Sequence, residues 1–187
     1  MSDKEEFLEL CAGIERDGIK DLMEWLEGTD FYEAPASTRY HLSCPGGLLH
    51  HSLNVYHEAK KLLDTFPEIQ VSEDTVRITA LFHDLCKVNF YGTEKRNVKN
   101  EFGRWETRDV YTVCEKVPYG AHGAKSLSIV QNFVKLSAEE CVAILQHMGT
   151  FQGEAKDVGS AFSAFPYAWL LSVADQAATY IDENEKG

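Results

Sequence analysis

Apolar positions along the chain recur mostly at helical spacing. From Lys4 to Arg16, the residues Phe7, Leu8, Leu10, Cys11 and Ile14 share a helical stripe. Gly18 breaks the pattern, and Ile19 to Leu26 predicts a second short helix ending at Gly28. The stretch GTDFYEAPASTRYHLSCPGG is rich in turn residues and reads as loop. A long helix is expected from Leu48 to Phe66, stopped by Pro67, and Ser72-Glu73-Asp74 opens another that runs to about Val88. The segment from Phe90 to Tyr119 carries Gly92, Asn97, Asn100 and Gly103 among β-favouring pieces such as RWETRDVYTV, and predicts a loop with a small β-hairpin inserted between helices. Helix resumes near His122 and runs to about Lys135. Ser137 and Glu140 form a capping box for a helix that ends at Gly149. Phe151 to Phe165 reads as loop, with Gly153 and Gly159. Pro166 then suits the first turn of a last helix that extends to about Asp182. The expected fold class is all-α, one domain with N-terminal helices over 1–28 and a helical core over 46–183.

Several polar residues violate this pattern. His51 lies beside the stripe of Leu48, Val55, Ala59 and Leu62, whereas His50, Asn54, His57 and Lys61 share a polar face where histidines are ordinarily solvated. His83 shares a face with Val76, Thr79 and Ala80, and Asp84 adjoins it. Lys87 follows one turn after His83 and can reach the same place. The last helix, YAWLLSVADQAATYID, is apolar nearly all round and carries Asp175 at its middle. Each of these alone has an ordinary structural explanation, such as a satisfied core histidine or an aspartate paired with a lysine. Together they put His, His-Asp and Asp on three core helices, where a buried carboxylate needs a cation.

Composition narrows the function. With 187 residues, 44% hydrophobic and 26% charged, the chain has an ordinary globular composition. Its start, MSDKEEF, lacks the apolar core of a signal peptide, no apolar run can span a bilayer, and five scattered cysteines (11, 44, 86, 114, 141) form no C-x-x-C pair. A cytoplasmic location without disulfides or membrane partner is therefore expected. The net charge of −12 disfavours long nucleic acid as a partner. The charge is uneven, however: Lys87 to Lys125 holds eight basic and five acidic residues.

The pieces GGLLHHSLNVY, ALFHDLCKV and SVADQAATY resemble the signatures of the HD superfamily of metal-dependent phosphohydrolases. APASTRYH, HDLCKVNFYG, VPYGAHGAKS and ILQHMG are similar to a subgroup of bacterial and phage-associated HD hydrolases, and to the HD domain of a bacterial 3'-to-5' exoribonuclease. The likeness runs from about Asp30 to Tyr180. It implies an HD-domain helical bundle with a divalent metal between its helices, held by His51, His83, Asp84 and Asp175. His122 and His147 fall where two-metal members place additional histidines. Cys86 replaces the usual small residue before Lys87, and QHMG offers one histidine where some relatives have two.

Imidazoles and carboxylates suit Fe, Mn, Co, Ni or Zn, as one ion or two. Such an ion lowers the pKa of its water and polarises a phosphoryl oxygen. On this reading Asp84 binds the metal and accepts the water's proton, and Lys87 meets phosphate charge. Lys125, Arg39, His41 and Arg96 are further candidates for substrate contact, and Phe90, Tyr91, Trp105 and Tyr119 for stacking on a base. The leading expectation is hydrolysis of a phosphoester of a nucleotide or another small phosphorylated molecule. Phosphodiesterase action on cyclic dinucleotides or short RNA is a close variant. The alternatives are a di-iron oxygenase, which requires His122 and His147, and a non-catalytic nucleotide or metal sensor.

Overall fold

Serines cap three of the helices. In the computed structural model, which describes residues 1–115, 121–151 and 153–184, α1 spans Asp3–Ala12 with Ser2 and Glu5 in a capping box. The Ser72 side chain accepts from the Thr75 amide to open α4 (Glu73–Phe82). Ser137 and Glu140 form the expected box at α6 (Ala138–Gln146). Two other helices begin after a left-handed glycine: Gly18 before α2 (Ile19–Glu27) and Gly46 before α3 (Gly47–Thr65). A side chain at Gly18 would also strike the Phe133 carbonyl, 1.8 Å from its Cβ position. The remaining helices are α5 (His122–Gln131), α7 (Ala155–Ala164) and α8 (Pro166–Ala177).

β1 (Tyr91–Lys99) and β2 (Trp105–Val113) form an antiparallel hairpin, in register from Tyr91 opposite Val113 to Lys99 opposite Trp105. Its turn is closed by the Asn100 side chain, which accepts from the Phe102 and Arg104 amides. The fold is thus helical with a small hairpin, as expected.

Several boundaries differ from expectation: α5 ends at Gln131 rather than near Lys135, and α6 at Gln146 rather than Gly149. The segment read as loop from Phe151 to Phe165 contains α7. Its Gly159 faces open space, where the cost of a helical glycine is only about 1 kcal/mol, so the glycine did not break the helix. The helix expected to reach Val88 stops at Phe82. There the His83 side chain takes up the Ala80 carbonyl (Nδ1 to O, 2.7 Å), and Leu85–Lys87 continue as a tight 3₁₀ turn. The last helix widens into a π turn over Ala178–Asp182.

The core joins α3 to α4 and α8, and α6 to α8 and α4. Phe7, Cys11, Leu22 and Leu26 of the N-terminal helices belong to the same buried cluster as Leu48, Phe82, Ile144 and Leu171. Two polar ties cross it. Tyr167 Oη lies 2.6 Å from Thr79 Oγ1. Arg16 donates to buried Glu140 at 2.9 Å, and Thr75 donates to the same carboxylate.

Candidate metal centre

Three buried histidines share one arrangement. Each has its Nδ1 against a fixed oxygen acceptor, which leaves Nε2 turned toward the others. His83 Nδ1 sits on the Ala80 carbonyl, and His147 Nδ1 sits on the Ile144 carbonyl at 2.6 Å. In both cases a helix ends just before the histidine, and the ring satisfies one of its orphaned carbonyls. His51 is set differently. It lies within α3, and its Nδ1 donates to the Glu183 carboxylate at 3.0 and 3.1 Å.

The inward atoms converge. His51 Nε2 and His83 Nε2 are 3.3 Å apart. Asp175 Oδ1 lies 3.1 Å from His51 Nε2 and 4.0 Å from His83 Nε2. Asp84 Oδ2 lies 3.5 Å from His83 Nε2 and 3.7 Å from His51 Nε2, and Asp84 Oδ1 is 3.6 Å from His147 Nε2. Two donors bound to one ion at about 2.0–2.2 Å stand roughly 3–3.5 Å apart, so these spacings suit a shared ion. His147 Nε2 is buried without a hydrogen-bond partner, an orphan that an ion would satisfy. The structure therefore brings together five of the expected metal ligands.

His122 stands apart from them. It is half-buried at the start of α5, and its Nδ1 lies 3.3 Å from Cys86 Sγ. It faces the same cavity but is in none of the groups whose donor atoms lie within 4.8 Å of one another.

Charge is balanced locally. Lys87 Nζ lies 2.6 Å from Asp84 Oδ2. Burial would push the Asp84 carboxyl up, but Lys87 and the neighbouring imidazoles His83 and His147 outweigh it and hold Asp84 well below the usual range. Asp175 sits at about 2, since its bond to His51 overcomes burial. Burial disfavours a charged His51, yet Asp175 and Glu183 raise it to about 9. In the metal-free protein His51 thus carries a proton between two carboxylates.

His51, Asp84 and Asp175 form the floor of a cavity of about 1050 Å³, and His83 and His147 are fully buried against them. Lys87, Phe90 and Tyr91 line it, as does His41. Burial lowers His41 to about 4, with His51 and Lys87 adding to the effect, so its ring is neutral. Its Nε2 is buried and unpartnered apart from Glu183 at 4.0 Å. The other substrate candidates do not line it. Lys125 pairs with Glu115 at 2.5 Å and sits over the Phe90 ring. Arg39 is exposed with its guanidinium 5.7 Å from the Tyr40 ring, and Arg96 is exposed on β1 and paired with Glu94. Trp105 is exposed at the far end of the hairpin, and Tyr119 lies outside the described residues. His50 and His57 sit at the surface on Asp3 and Glu6, as their polar face predicts.

Glu183 is the residue that sequence reasoning missed. In the acidic stretch DENEK it looks like surface. Its one signal is its position two turns beyond Asp175, on the same line as Thr179.

Comparison with known proteins places the chain in a family. The HD domain model matches residues 48–180, and the chain belongs to that family, the class its motifs resemble. The chain is also 30% identical over 89 residues to a dihydroneopterin 2',3'-cyclic phosphate phosphodiesterase from Methanocaldococcus jannaschii. That match covers 46% of this chain and 33% of the relative, so the chain spans only about a third of that protein. No solved structure matches the chain. Among the described residues no helix is long and apolar enough to cross a membrane.

Proposed function

We propose that this protein is a metal-dependent phosphohydrolase acting on a phosphoester of a nucleotide or another small phosphorylated molecule. The observation that carries this reading is the convergence of the Nε2 atoms of His51, His83 and His147 with Asp84 and Asp175, of which His51, Asp84 and Asp175 line an open cavity. Those five residues would hold a divalent transition ion. When bound, such an ion makes an attacking water more acidic and draws charge from a phosphoryl oxygen.

The chain's own residues supply the rest. Lys87 holds Asp84 as an anion in the resting site and faces the cavity. An incoming phosphate offers Lys87 a second anion. As the ammonium turns toward it, the grip on Asp84 slackens and the carboxylate becomes a better proton acceptor for the attacking water. His41, neutral and with a free lone pair or N–H at Nε2, offers a hydrogen bond to the substrate from the cavity wall. His122, lowered by burial, is a second neutral imidazole on that wall. It belongs to none of the donor groups, so the di-iron alternative, which needs it as a ligand, has less support than hydrolysis.

Phosphodiesterase action is the favoured variant, because the relative named above acts on a cyclic phosphate. The test is a screen of the purified protein against phosphomonoesters, 2',3'-cyclic nucleotides and cyclic dinucleotides, with Mn, Fe, Co, Ni and Zn added singly. Turnover with at least one pair is expected, and chelator should abolish it. Tight binding of these compounds without turnover under any metal would instead indicate a sensor.

A further inference from the structure

Glu183 and His41 both lie outside the residues matched by the family model, yet they meet at the back of His51. Glu183 is 7% exposed, close to the end of the chain, where an acidic side chain would ordinarily be solvated. It spreads both carboxylate oxygens over His51 Nδ1, at 3.0 and 3.1 Å. Asn54, one turn back from Glu58 on α3, donates to Glu183 Oε1 at 2.9 Å and fixes the carboxylate in place. The π turn over Ala178–Asp182 supplies the register: it widens the end of α8, and the Glu183 amide closes on the Ala178 carbonyl at 2.9 Å.

His51 needs this contact more than its two neighbours do. His83 and His147 draw their tautomer from carbonyls of their own helices, three residues back. A ring in mid-helix has no such carbonyl to spare, because α3 continues for a further 14 residues and keeps its own hydrogen bonds. The Nδ1 acceptor must therefore come from elsewhere in the chain, and Glu183 provides it.

We propose that Glu183 is a positioning residue of the metal centre: it fixes the His51 ring with Nδ1 protonated and Nε2 presented to the ion. The inference rests on the metal-centre reading above. It makes the turn that follows α8 part of the machinery and not merely a cap on that helix. Losing a hydrogen-bond partner of a metal-bound histidine typically costs 10–100-fold in metal affinity.

The test uses the full-length protein with Co²⁺ as the probe, titrated by visible absorption. Glu183→Ala should weaken Co²⁺ binding by roughly 10–100-fold. Glu183→Gln, which keeps the shape and the tie to Asn54 but loses the charge, should fall between that variant and the wild type. Asn54→Ala, which loosens the tether alone, should change affinity less than Glu183→Ala does. Should Glu183→Ala fail to fold, Glu183→Gln carries the comparison. A second readout is the His51 Nδ1 proton in zinc-loaded protein, followed by NMR. It should resonate far downfield in wild type and move upfield in Glu183→Gln. Co²⁺ affinity and proton shift both unchanged in Glu183→Gln would overturn the proposal while leaving the metal centre standing. Wild type that fails to bind Co²⁺ would overturn both.

Discussion

The floor of the cavity and the β-hairpin use charge in opposite ways. At the floor, His51, His83, Asp84, His147 and Asp175 are buried, and each ring or carboxylate meets fixed partners. On the hairpin, the arginines pair with acids two residues away on their own strand, Arg96 with Glu94 and Arg108 with Glu106, and remain mostly exposed. Arg96 and Arg108 even face each other across the strands. Water screens exposed charges, so their arrangement has little energetic consequence. Burial removes that screening, and the floor is stable only because every charge there has an answer. The difference indicates where substitutions should matter.

The largest effect is expected at Asp84. Asp84→Ala leaves half-buried Lys87 beside the cavity without its partner and removes a residue proposed to hold the ion. Hydrolysis should fall by a factor on the order of 10³ or more, and bound metal should fall with it. Lys87→Met comes next. It should lower kcat/KM by about 10²-fold while metal content stays close to wild type, because Lys87 touches Asp84 without being a donor to the ion. Metal lost along with activity would show Lys87 to be needed to assemble the site.

Away from the floor, Glu140 tests whether burial alone explains the contrast. It is buried and accepts from Arg16, the Ser137 amide and Thr75. Burial would raise its pKa, but those bonds hold it below the ordinary carboxylate value. A depressed folded-state pKa contributes stability above the unfolded-state value, and that contribution disappears as pH falls through the folded-state value. Glu140→Gln should cost about 1.5–3 kcal/mol at neutral pH by urea denaturation, and the difference from wild type should shrink below about pH 4.5. The smallest effect belongs to the hairpin. Arg96→Ala should shift stability by no more than about 0.5 kcal/mol and leave kcat unchanged. A large rise in KM would instead make the hairpin a substrate-binding element and erase the contrast drawn here.

The same contrast governs what could be read from the sequence. His51, His83, Asp84 and Asp175 stood out because His83 and Asp175 interrupt apolar helical faces, while His51 lies beside one and Asp84 adjoins His83. The resemblance then supplied His147, which periodicity alone leaves as a helix-end cation. Glu183 was hidden because the line from Asp175 through Thr179 to Glu183 passes through a π turn, and no local residue type announces that widening. The end of α4 at Phe82 was hidden for a related reason. The sequence pattern stays helical through Lys87, but the His83 side chain competes for the Ala80 carbonyl and the turn tightens. The helix Ala155–Ala164 is hard to read because Gly159 signals a break, whereas in the fold it faces open space and the helix runs through it. The capping box at Ser137 and the strand pairing were local signals and could be read directly.

Metal content is the most direct check on the central claim, that the inward Nε2 atoms and two aspartates exist to hold an ion. Elemental analysis should be run on purified wild-type protein and on Asp175→Asn, with circular dichroism confirming that both are folded. About one or two divalent transition ions per wild-type chain are expected, with a marked loss in Asp175→Asn and phosphohydrolase activity that disappears with the metal. Phosphoester hydrolysis by a metal-free wild-type chain, undiminished by chelator, would contradict it.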